Sequence, residues 1–355
     1  MQIIAISNQK GGCGKTTSAV NIAASLASLN KRTLLVDLDP QAHATFGLGI
    51  RGDRVTDSIY NVLTDQADKK KKFLEEILIP VHSQLDLAPS HILLSTIEQE
   101  FTNKDESVSK LYETLAVLSF PYEFVVIDCP PSLGFLTFNA LRAAQTVIVP
   151  IELSSFSLMG VDKLLSMIEL IRVKLQHTPA VYALPTMVDL RTKLSKHMMT
   201  EIQRAFGDYI FNSVVHQSVS VKESQLKGVP VMRHDPKSRG AADYLVLTQE
   251  IISKIEPLSD AAAPTALSRG HLMDFVFKTT GAKEVHLVGD FNHWDVSRNS
   301  LLWQKEEGVW QKRIYLGPGK YRYKFVVDGQ WVTDPENDMI ESNPYGGMDS
   351  VLDIA

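Results

Sequence analysis

A glycine-rich segment between a short apolar run and a helical pattern constrains this chain most. The run QIIAIS (2–7) predicts a buried strand, and TSAVNIAASLASL (17–29) predicts a helix rich in small residues. Between them lies KGGCGKT (10–16), whose glycines let backbone N–H groups turn toward phosphate oxygens, and the following helix adds its positive N-terminal end. The strict phosphate-loop spacing has a glycine where this chain has Gln9, so the segment is a variant of that loop with an added lysine, Lys10.

The rest of the chain predicts two domains of different class, since 355 residues exceed what one compact core usually organises. Up to residue 256, β-branched runs such as TLLVDLD and EFVVID alternate with helical periodicity, which predicts an α/β fold with a mostly parallel sheet flanked by helices. Residues 257–270 (PLSDAAAPTALSRG) have no periodicity and are interpreted as a linker. Residues 271–355 show alternating strands with hairpin signals and predict an all-β, immunoglobulin-like sandwich. The predicted domains are therefore 1–256 and 271–355.

Composition excludes several classes of protein. No basic n-region with an apolar h-region opens the chain, and no apolar run approaches the roughly 20 residues of a spanning helix. Two cysteines cannot make a disulfide framework, so we expect a cytoplasmic protein with no membrane partner. The net charge of −5 excludes a uniformly basic protein, yet residues 191–239 hold nine lysines and arginines against four acidic residues. That excess predicts a local basic patch.

Three ordered motifs carry a family resemblance. They are KGGCGKT at residue 10, VDLDPQ at residue 36 and VIDCPPSLG at residue 126, and DPKSRGAADY follows at residue 235. With these motifs the chain resembles the ParA/MinD group of deviant P-loop ATPases over most of residues 1–256. The resemblance is closer to the ParA partition branch, because MinD-like proteins end in an amphipathic membrane helix whereas this chain ends in a β module.

The resemblance implies ATP and Mg²⁺ as cofactors and a homodimer in the ATP-bound state. Lys10 would cross the dimer interface to the partner's nucleotide, Lys15 would reach the β and γ phosphates, and Asp39 would position the attacking water. The implied magnesium residues are Thr16, Asp37 and Asp128. The implied nucleotide-binding residues are Gly11, Gly12, Cys13, Gly14, Lys15, Thr16, Thr17 and Pro236. As an alternative, Asp37 could simply cap the end of its strand.

A DNA-contacting role is implied for part of the basic stretch. VDLRTKLSKHM (188–198) resembles the family segment in which an arginine followed by threonine contacts DNA phosphates, which matches Arg191. A later family segment with two arginines corresponds to residues 216–222, where both arginines are replaced. The lysines that could compensate are Lys193, Lys196, Lys222 and Lys227. The alternative is that all of these are ordinary surface charges.

The second domain carries a different resemblance. GDFNHWD (289–295), YKFVVDGQW (323–331) and NPYGG (343–347) are similar to carbohydrate-binding module family 48, as in the β subunit of AMP-activated protein kinase. Sugar rings present apolar faces that stack on tryptophan, whereas their hydroxyls need fixed polar partners. The matching residues are Trp294 and Trp331 for stacking, Lys324 for a hydroxyl contact, and Asn343, Tyr345 and Gly347 in the closing loop. Asp349 stands where the family commonly has asparagine, which removes the amide donors.

Together these features predict an ATP-dependent dimerising ATPase that positions or partitions a cargo, with slow hydrolysis stimulated by a protein activator. The cargo would be DNA or a glucan or protein assembly, and the β module would bind an α-glucan such as glycogen. Two alternatives stay open: a partition ATPase whose β module docks a protein adaptor and binds no sugar, and a glucan-tethered scaffold that uses nucleotide only to set its oligomeric state.

Overall fold

The computed structural model describes residues 1–64, 72–101, 107–153, 159–189, 191–255, 271–296, 300–316 and 319–354. The predicted linker 257–270 lies outside these residues. The chain divides into two compact units, one of residues 1–116 and 122–258 and the other of residues 259–355 together with 117–121.

The described part of the first unit contains a seven-stranded sheet of order β3-β4-β2-β5-β1-β6-β7. All neighbouring strands run parallel except the edge pair β3 and β4, which is antiparallel. The central strands are buried on both faces, as expected for apolar β-branched runs in a parallel sheet. The strands are β1 Gln2–Ile6, β2 Thr33–Asp37, β3 Ile79–His82, β4 Leu85–Ala88, β5 Phe124–Asp128, β6 Thr146–Glu152 and β7 Ala180–Thr186. This confirms the predicted α/β fold with a mostly parallel sheet.

Helices connect these strands, and the first of them, α1 (Lys15–Ser28), directly follows the glycine-rich loop. The other α-helices are His43–Gly47, Ile59–Leu63, Leu74–Ile77, Lys110–Ala116, Phe135–Ala143, Met159–Leu175, Lys193–Phe206, Val219–Leu226, Val231–His234 and Arg239–Ile255. The 3₁₀ helices of this unit are Gly52–Arg54 and Ile92–Glu100. Among the described residues, no helix has both the length and the apolar character needed to cross a bilayer.

The core of the first unit lies around α1. Its alanines and other small side chains are almost completely buried, which lets the helix lie close to the sheet and to the helix Arg239–Ile255. Large side chains fill the remaining space, among them Phe124, Phe211 and Tyr244. The phosphate-type loop therefore begins a helix that is fixed by packing along most of its length.

The described part of the second unit consists of two antiparallel sheets. A three-stranded sheet has the order β10-β11-β8, and a five-stranded sheet has the order β13-β12-β15-β14 with β9 also paired to β12. The strands are β8 His271–Lys278, β9 Val285–Gly289, β10 Trp303–Glu306, β11 Val309–Leu316, β12 Gly319–Val327, β13 Gln330–Val332, β14 Ile340–Ser342 and β15 Met348–Ile354, with a 3₁₀ turn at Asp290–Asn292. Aromatic side chains such as Phe277, Trp310 and Phe325 form the core between them. The all-β prediction is confirmed.

Candidate functional site

Three elements of the first unit bring charged residues to one edge of its sheet. Asp37 ends β2 and Asp128 ends β5, and the two residues are register partners. Ile6, the last residue of β1, also pairs with Asp128, so the loop that follows β1 starts at the same edge. The carboxyl ends of parallel strands are where open α/β sheets bind ligands. The sequence motifs are thus assembled in one place.

The glycine-rich loop is fixed by its own contacts. Gly14 has φ 90°, in the left-handed region that favours glycine, immediately before α1 begins. The Lys15 ammonium donates to the Lys10 carbonyl at 2.9 Å, and the Thr186 hydroxyl at the end of β7 donates to the Cys13 carbonyl at 2.8 Å. The loop borders a cleft of about 610 Å³, which we call the nucleotide cleft.

Asp37 is completely buried and well supplied with hydrogen-bond donors. Its Oδ2 accepts from the backbone N–H of Thr45 at 2.8 Å and from the Thr45 hydroxyl at 2.7 Å, and its Oδ1 accepts from the Asp39 backbone at 3.1 Å. Burial nevertheless raises the pKa of the Asp37 carboxyl, because desolvation outweighs these donors.

Asp128 is equally buried but lacks such partners. Within the described ranges, neither of its carboxylate oxygens has a hydrogen-bond partner. Burial and the nearby charge of Asp37 raise the pKa of Asp128 well above its ordinary value, while the Thr16 hydroxyl and the Lys15 ammonium oppose that rise. A buried carboxylate beside a threonine hydroxyl is the kind of oxygen donor set that a hard divalent cation takes. These residues therefore fit Mg²⁺.

Lys10 and Asp39 occupy different positions at this edge. The Lys10 ammonium donates to Oε2 of Glu152, at the end of β6, at 2.6 Å. Asp39 lines the nucleotide cleft, and its Oδ1 accepts from the backbone N–H of Gln41 at 2.9 Å. Its carbonyl accepts from the Ser90 hydroxyl at 2.6 Å, so the backbone that carries the carboxylate is held in place.

Most of the predicted nucleotide residues meet in the nucleotide cleft. The ones that line it are Gly11, Gly12, Gly14, Lys15, Thr16, Thr17 and Asp39. Cys13 is buried instead, and Pro236 is an exposed residue in the turn before the helix Arg239–Ile255, not part of the lining.

Sequence reasoning missed several side chains that line the same cleft. They include Asn21, His43, Phe46, Met187, Gln225 and Val229. Gln225 also donates a hydrogen bond from its amide to the Thr17 hydroxyl. Asn21 lies one turn after the motif on α1 and donates to the Thr17 carbonyl, so helical spacing could have found it. The others arrive from remote segments and carry no local signal.

A second cleft of the first unit collects part of the predicted DNA-contacting set. This basic cleft, of about 690 Å³, is lined by Val188, Asp189, Arg191, His216, Gln217, Ser218, Val219, Lys222 and Arg239. Lys193 and Lys196 are exposed on the helix Lys193–Phe206, and Lys227 is exposed beyond the helix Val219–Leu226; none of the three lines it. Arg239 was not predicted.

Arg191 is highly exposed but has a charged partner in the cleft. Its Nε donates to Oδ1 of Asp189 at 2.8 Å and its terminal nitrogen donates to Oδ2 at 2.6 Å, a two-bond ion pair. The Arg191 guanidinium lowers the pKa of the Asp189 carboxyl to about 2, so Asp189 is ionised at neutral pH.

In the second unit, all the residues named for carbohydrate binding except Gly347 line one cleft of about 700 Å³, which we call the aromatic cleft. They are Trp294, Lys324, Trp331, Asn343, Tyr345 and Asp349. The rings of Trp294 and Trp331 stack with their centroids 6.3 Å apart and an interplanar angle of 28°. Trp331 is 49% exposed and Tyr345 is 96% exposed, whereas Trp303 and Trp310 are buried in the β-sheets. The exposed aromatic faces are thus concentrated in this cleft.

A polar cluster of Lys324, Asn343 and Asp349 also lines the aromatic cleft. Asp349 is buried, and its Oδ1 accepts from the Asn343 amide at 2.7 Å and lies 3.5 Å from the Lys324 ammonium. The Asn343 amide oxygen accepts from the backbone of Tyr345 at 3.0 Å and of Gly347 at 2.9 Å, which fixes the closing loop. Fixed polar groups beside exposed indole rings are what a sugar-binding site requires.

Comparison with known proteins identifies the family to which the first unit belongs. A family model described as "AAA domain" matches residues 1–180. The chain is 39% identical over 251 residues to the sporulation initiation inhibitor protein Soj of Bacillus subtilis (strain 168), covering 70% of this chain and 98% of that protein. The chain belongs to the ParA/Soj family. It is also 38% identical over 260 residues to the chromosome partitioning protein ParA of Myxococcus xanthus, covering 73% of this chain and 90% of that protein.

Solved structures agree on this ParA/Soj fold. A Mycobacterium smegmatis protein described as cobyrinic acid a,c-diamide synthase, with bound ATP analog and magnesium, matches with a TM-score of 0.61 and 30% identity, over 72% of this chain and 96% of that one. A putative plasmid partition protein of Borrelia burgdorferi bound to AMPPNP matches with a TM-score of 0.61 over 72% of this chain and 99% of that one. At 24% identity, the latter supports the fold alone.

The second unit has its own family match. A model described as the glycogen recognition site of AMP-activated protein kinase matches residues 273–355. The match spans the aromatic cleft and all six residues predicted for it.

Proposed function

We propose that this protein is a Mg²⁺-dependent ATPase that dimerises with ATP and couples that cycle to a glucan-containing cargo. One observation carries the ATPase part: the completely buried carboxylate of Asp128 lies near the Thr16 hydroxyl and the Lys15 ammonium of the phosphate loop. Such a group is costly to bury unless a cation joins it. Family membership and the relatives' nucleotide complexes support the same activity.

Thr16, Asp37 and Asp128 are the residues that would hold Mg²⁺. When bound, the ion would neutralise the charge that develops on the β and γ phosphates. Asp37, held by its donors, would act through bound water, whereas the free oxygens of Asp128 are ready to accept hydrogen bonds from such water. Lys15 would bind phosphate oxygens from the start of α1.

Asp39 would position the water that attacks the γ phosphate. Its carboxylate lines the nucleotide cleft on a backbone held by Ser90, so the group that orients the water would itself be preorganised. Lys10 would cross the dimer interface and contact the nucleotide bound by a second subunit. Because its ammonium is paired with Glu152 within one chain, dimerisation would exchange that partner for phosphate.

The second unit would bind an α-glucan in the aromatic cleft. Trp294 and Trp331 offer stacking surfaces for the apolar faces of successive glucose rings, and the cluster of Lys324, Asn343 and Asp349 offers partners for hydroxyls. The ATPase would then position this glucan cargo, acting in the cytoplasm with DNA as a surface for the ATP-bound dimer and with a protein activator of hydrolysis.

ATP turnover of the full-length protein tests the coupled function. It is measured with glycogen, with duplex DNA, with both and with neither, beside an Asp39→Ala variant that should lose turnover by about 10²-fold or more. Stimulation by glycogen would link the two units in one mechanism. Turnover equal to that of Asp39→Ala under all four conditions would refute the ATPase assignment.

Co-sedimentation with glycogen tests the second unit separately. Trp294→Ala and Trp331→Ala should each abolish sedimentation, because each removes a stacking face. Met339→Ala is the matched control, since Met339 is 53% exposed on the same unit outside the aromatic cleft. A wild-type protein that stays in the supernatant would instead favour a protein adaptor as the ligand, with the exposed Tyr345 and Trp331 as its anchors.

A further inference from the structure

We propose that Arg239 contacts DNA phosphates in the basic cleft, where His216 and Asp243 position it. This assignment rests on the DNA-binding part of the proposed function. It goes beyond the sequence-based set, in which Arg191 and four lysines were the candidates and Arg239 was absent.

A chain of three side chains orients Arg239. Oδ2 of Asp243 lies 2.9 Å from both the backbone nitrogen and Nδ1 of His216. Arginine only donates hydrogen bonds, so Nε2 accepts from it, and Nδ1 carries the ring proton and donates to Asp243. The Arg239 guanidinium then donates to Nε2 at 2.6 Å. The imidazole is therefore a neutral acceptor in this arrangement, fixed by Asp243 from behind.

The two arginines of the basic cleft differ in how their charge is compensated. Arg191 donates twice to the Asp189 carboxylate, whose negative charge offsets its own. Arg239 donates once, to a neutral ring, and no other hydrogen bond or ion pair joins it to the described residues. An arginine has five N–H donors in a planar fork, so Arg239 keeps donors for a ligand. Arg239 is thus the better phosphate contact of the two.

The lining of the basic cleft favours a polyanion. Arg191, Lys222 and Arg239 are its cations and Asp189 is its one carboxylate among the described residues. These cations come from the loop before the helix Lys193–Phe206, from the helix Val219–Leu226 and from the start of the helix Arg239–Ile255. The side chains of all three are exposed, so a surface as large as a duplex backbone could reach them. Arginine binds phosphate oxygens with two parallel N–H groups. Arg239 would supply a cation in place of the two arginines that residues 216–222 lack.

The test is binding of a random-sequence DNA duplex by the full-length protein with ATP and Mg²⁺, followed by fluorescence anisotropy over about 50 to 200 mM NaCl. Arg239→Ala should weaken binding roughly tenfold, as expected for loss of one charge-assisted hydrogen bond. It should also reduce the slope of log K against log salt by about 0.9, the value for one phosphate contact. Arg239→Lys, which keeps the charge, should retain the slope.

Matched variants separate Arg239 from general surface charge. Arg233→Ala removes an exposed arginine of the same unit outside the basic cleft and should change neither affinity nor slope. The double variant Asp189→Asn/Arg191→Ala removes the ion pair as a unit and should weaken binding less than Arg239→Ala does. Melting temperatures show that each variant is folded.

His216 is a positioning residue, and a double-mutant cycle tests that role. His216→Ala should weaken DNA binding, and adding it to Arg239→Ala should cost little more, because both changes remove the same contact. Wild-type binding with an unaltered slope in Arg239→Ala would overturn this assignment and leave DNA binding intact. No DNA binding by the wild type would overturn the DNA part of the proposed function, and this assignment with it.

Discussion

Replacing Asp128 by asparagine should stabilise the nucleotide-free protein, and more so as the pH rises. Asp128 is completely buried, its two oxygens have no hydrogen-bond partner among the described residues, and Asp37 lies nearby with a negative charge of its own. The asparagine amide has nearly the same shape and no charge. The substitution therefore removes the electrostatic cost of the site and keeps its packing.

The raised pKa of Asp128 determines the direction in which the stabilisation by Asp128→Asn changes with pH. Its ordinary value is 3.8, so above about pH 4 the unfolded chain releases this proton while the native protein retains it. The stability that the carboxyl contributes is fully present below that pH and is lost as the pH rises through the raised native pKa. A buried, unpaired charge costs about 2 kcal/mol. For a unit of this size that corresponds to an increase of about 4 to 8 °C in melting temperature near pH 8, and of less than about 1 °C near pH 4, where the unfolded chain also keeps most of this proton.

Thermal unfolding followed by circular dichroism, with EDTA and no nucleotide, measures this difference at the two pH values. The matched control is Asp86→Asn. Asp86 is also buried but accepts from Tyr122 at 2.6 Å and Arg32 at 3.1 Å, so its loss should destabilise the protein at both pH values. Mg²⁺ with ATP should then raise the melting temperature of the wild type more than that of Asp128→Asn. A difference in melting temperature between Asp128→Asn and the wild type that does not change with pH would refute the reasoning.

Three further predictions concern other sites. Gly228→Ala should lower the free energy of unfolding by about 1–3 kcal/mol in denaturant unfolding, because a Cβ at Gly228 would lie 2.9 Å from neighbouring backbone atoms. Gly207 also has a positive φ but has open space around it, so Gly207→Ala should lower that free energy by about 1 kcal/mol or less. Glu152→Gln removes the negative charge that faces Lys10 in a partly exposed ion pair. It should lower the protein concentration needed for ATP-dependent dimerisation by about fivefold, measured by light scattering, and an unchanged concentration would contradict the proposed exchange of partners. Asp349→Asn should increase glycogen retention by about threefold, and reduced retention would show that the carboxylate itself binds glucan.

The sequence was most informative where a local pattern meets a general rule of the fold. The loop KGGCGKT lies between a strand and a helix, and its conformation depends on glycines that the sequence displays directly. Asp37 and Asp128 follow apolar runs, and the ends of parallel strands meet at one edge of a sheet, so their proximity was predictable without coordinates.

Residues that reach a site through tertiary packing were not predictable in the same way. Arg239 reaches the basic cleft because the start of its helix lies beside the segment of His216, more than 20 residues earlier. Phe46 and Met187 line the nucleotide cleft from segments that lie far apart in the first unit's sequence. Conversely, Lys193 lies close to Arg191 in sequence but outside the cleft, because a helix begins at Lys193 and turns the following side chains onto its own faces.

The carboxylate of Asp349 has a structural role that the sequence alone does not reveal. Alone, a carboxylate in place of an amide would add a negative charge and remove donors from a sugar site. In the structure its Oδ1 accepts from Asn343 and lies beside the Lys324 ammonium, so its charge is balanced inside the protein and its hydrogen bond fixes the residue that orders the closing loop. Lys324 lies beside this charge, so its ammonium already has a charged partner inside the protein. The aromatic cleft thus combines a stacking surface with an ordered loop, and in the proposed function the charge of Asp349 would set how strongly the cleft holds a glucan.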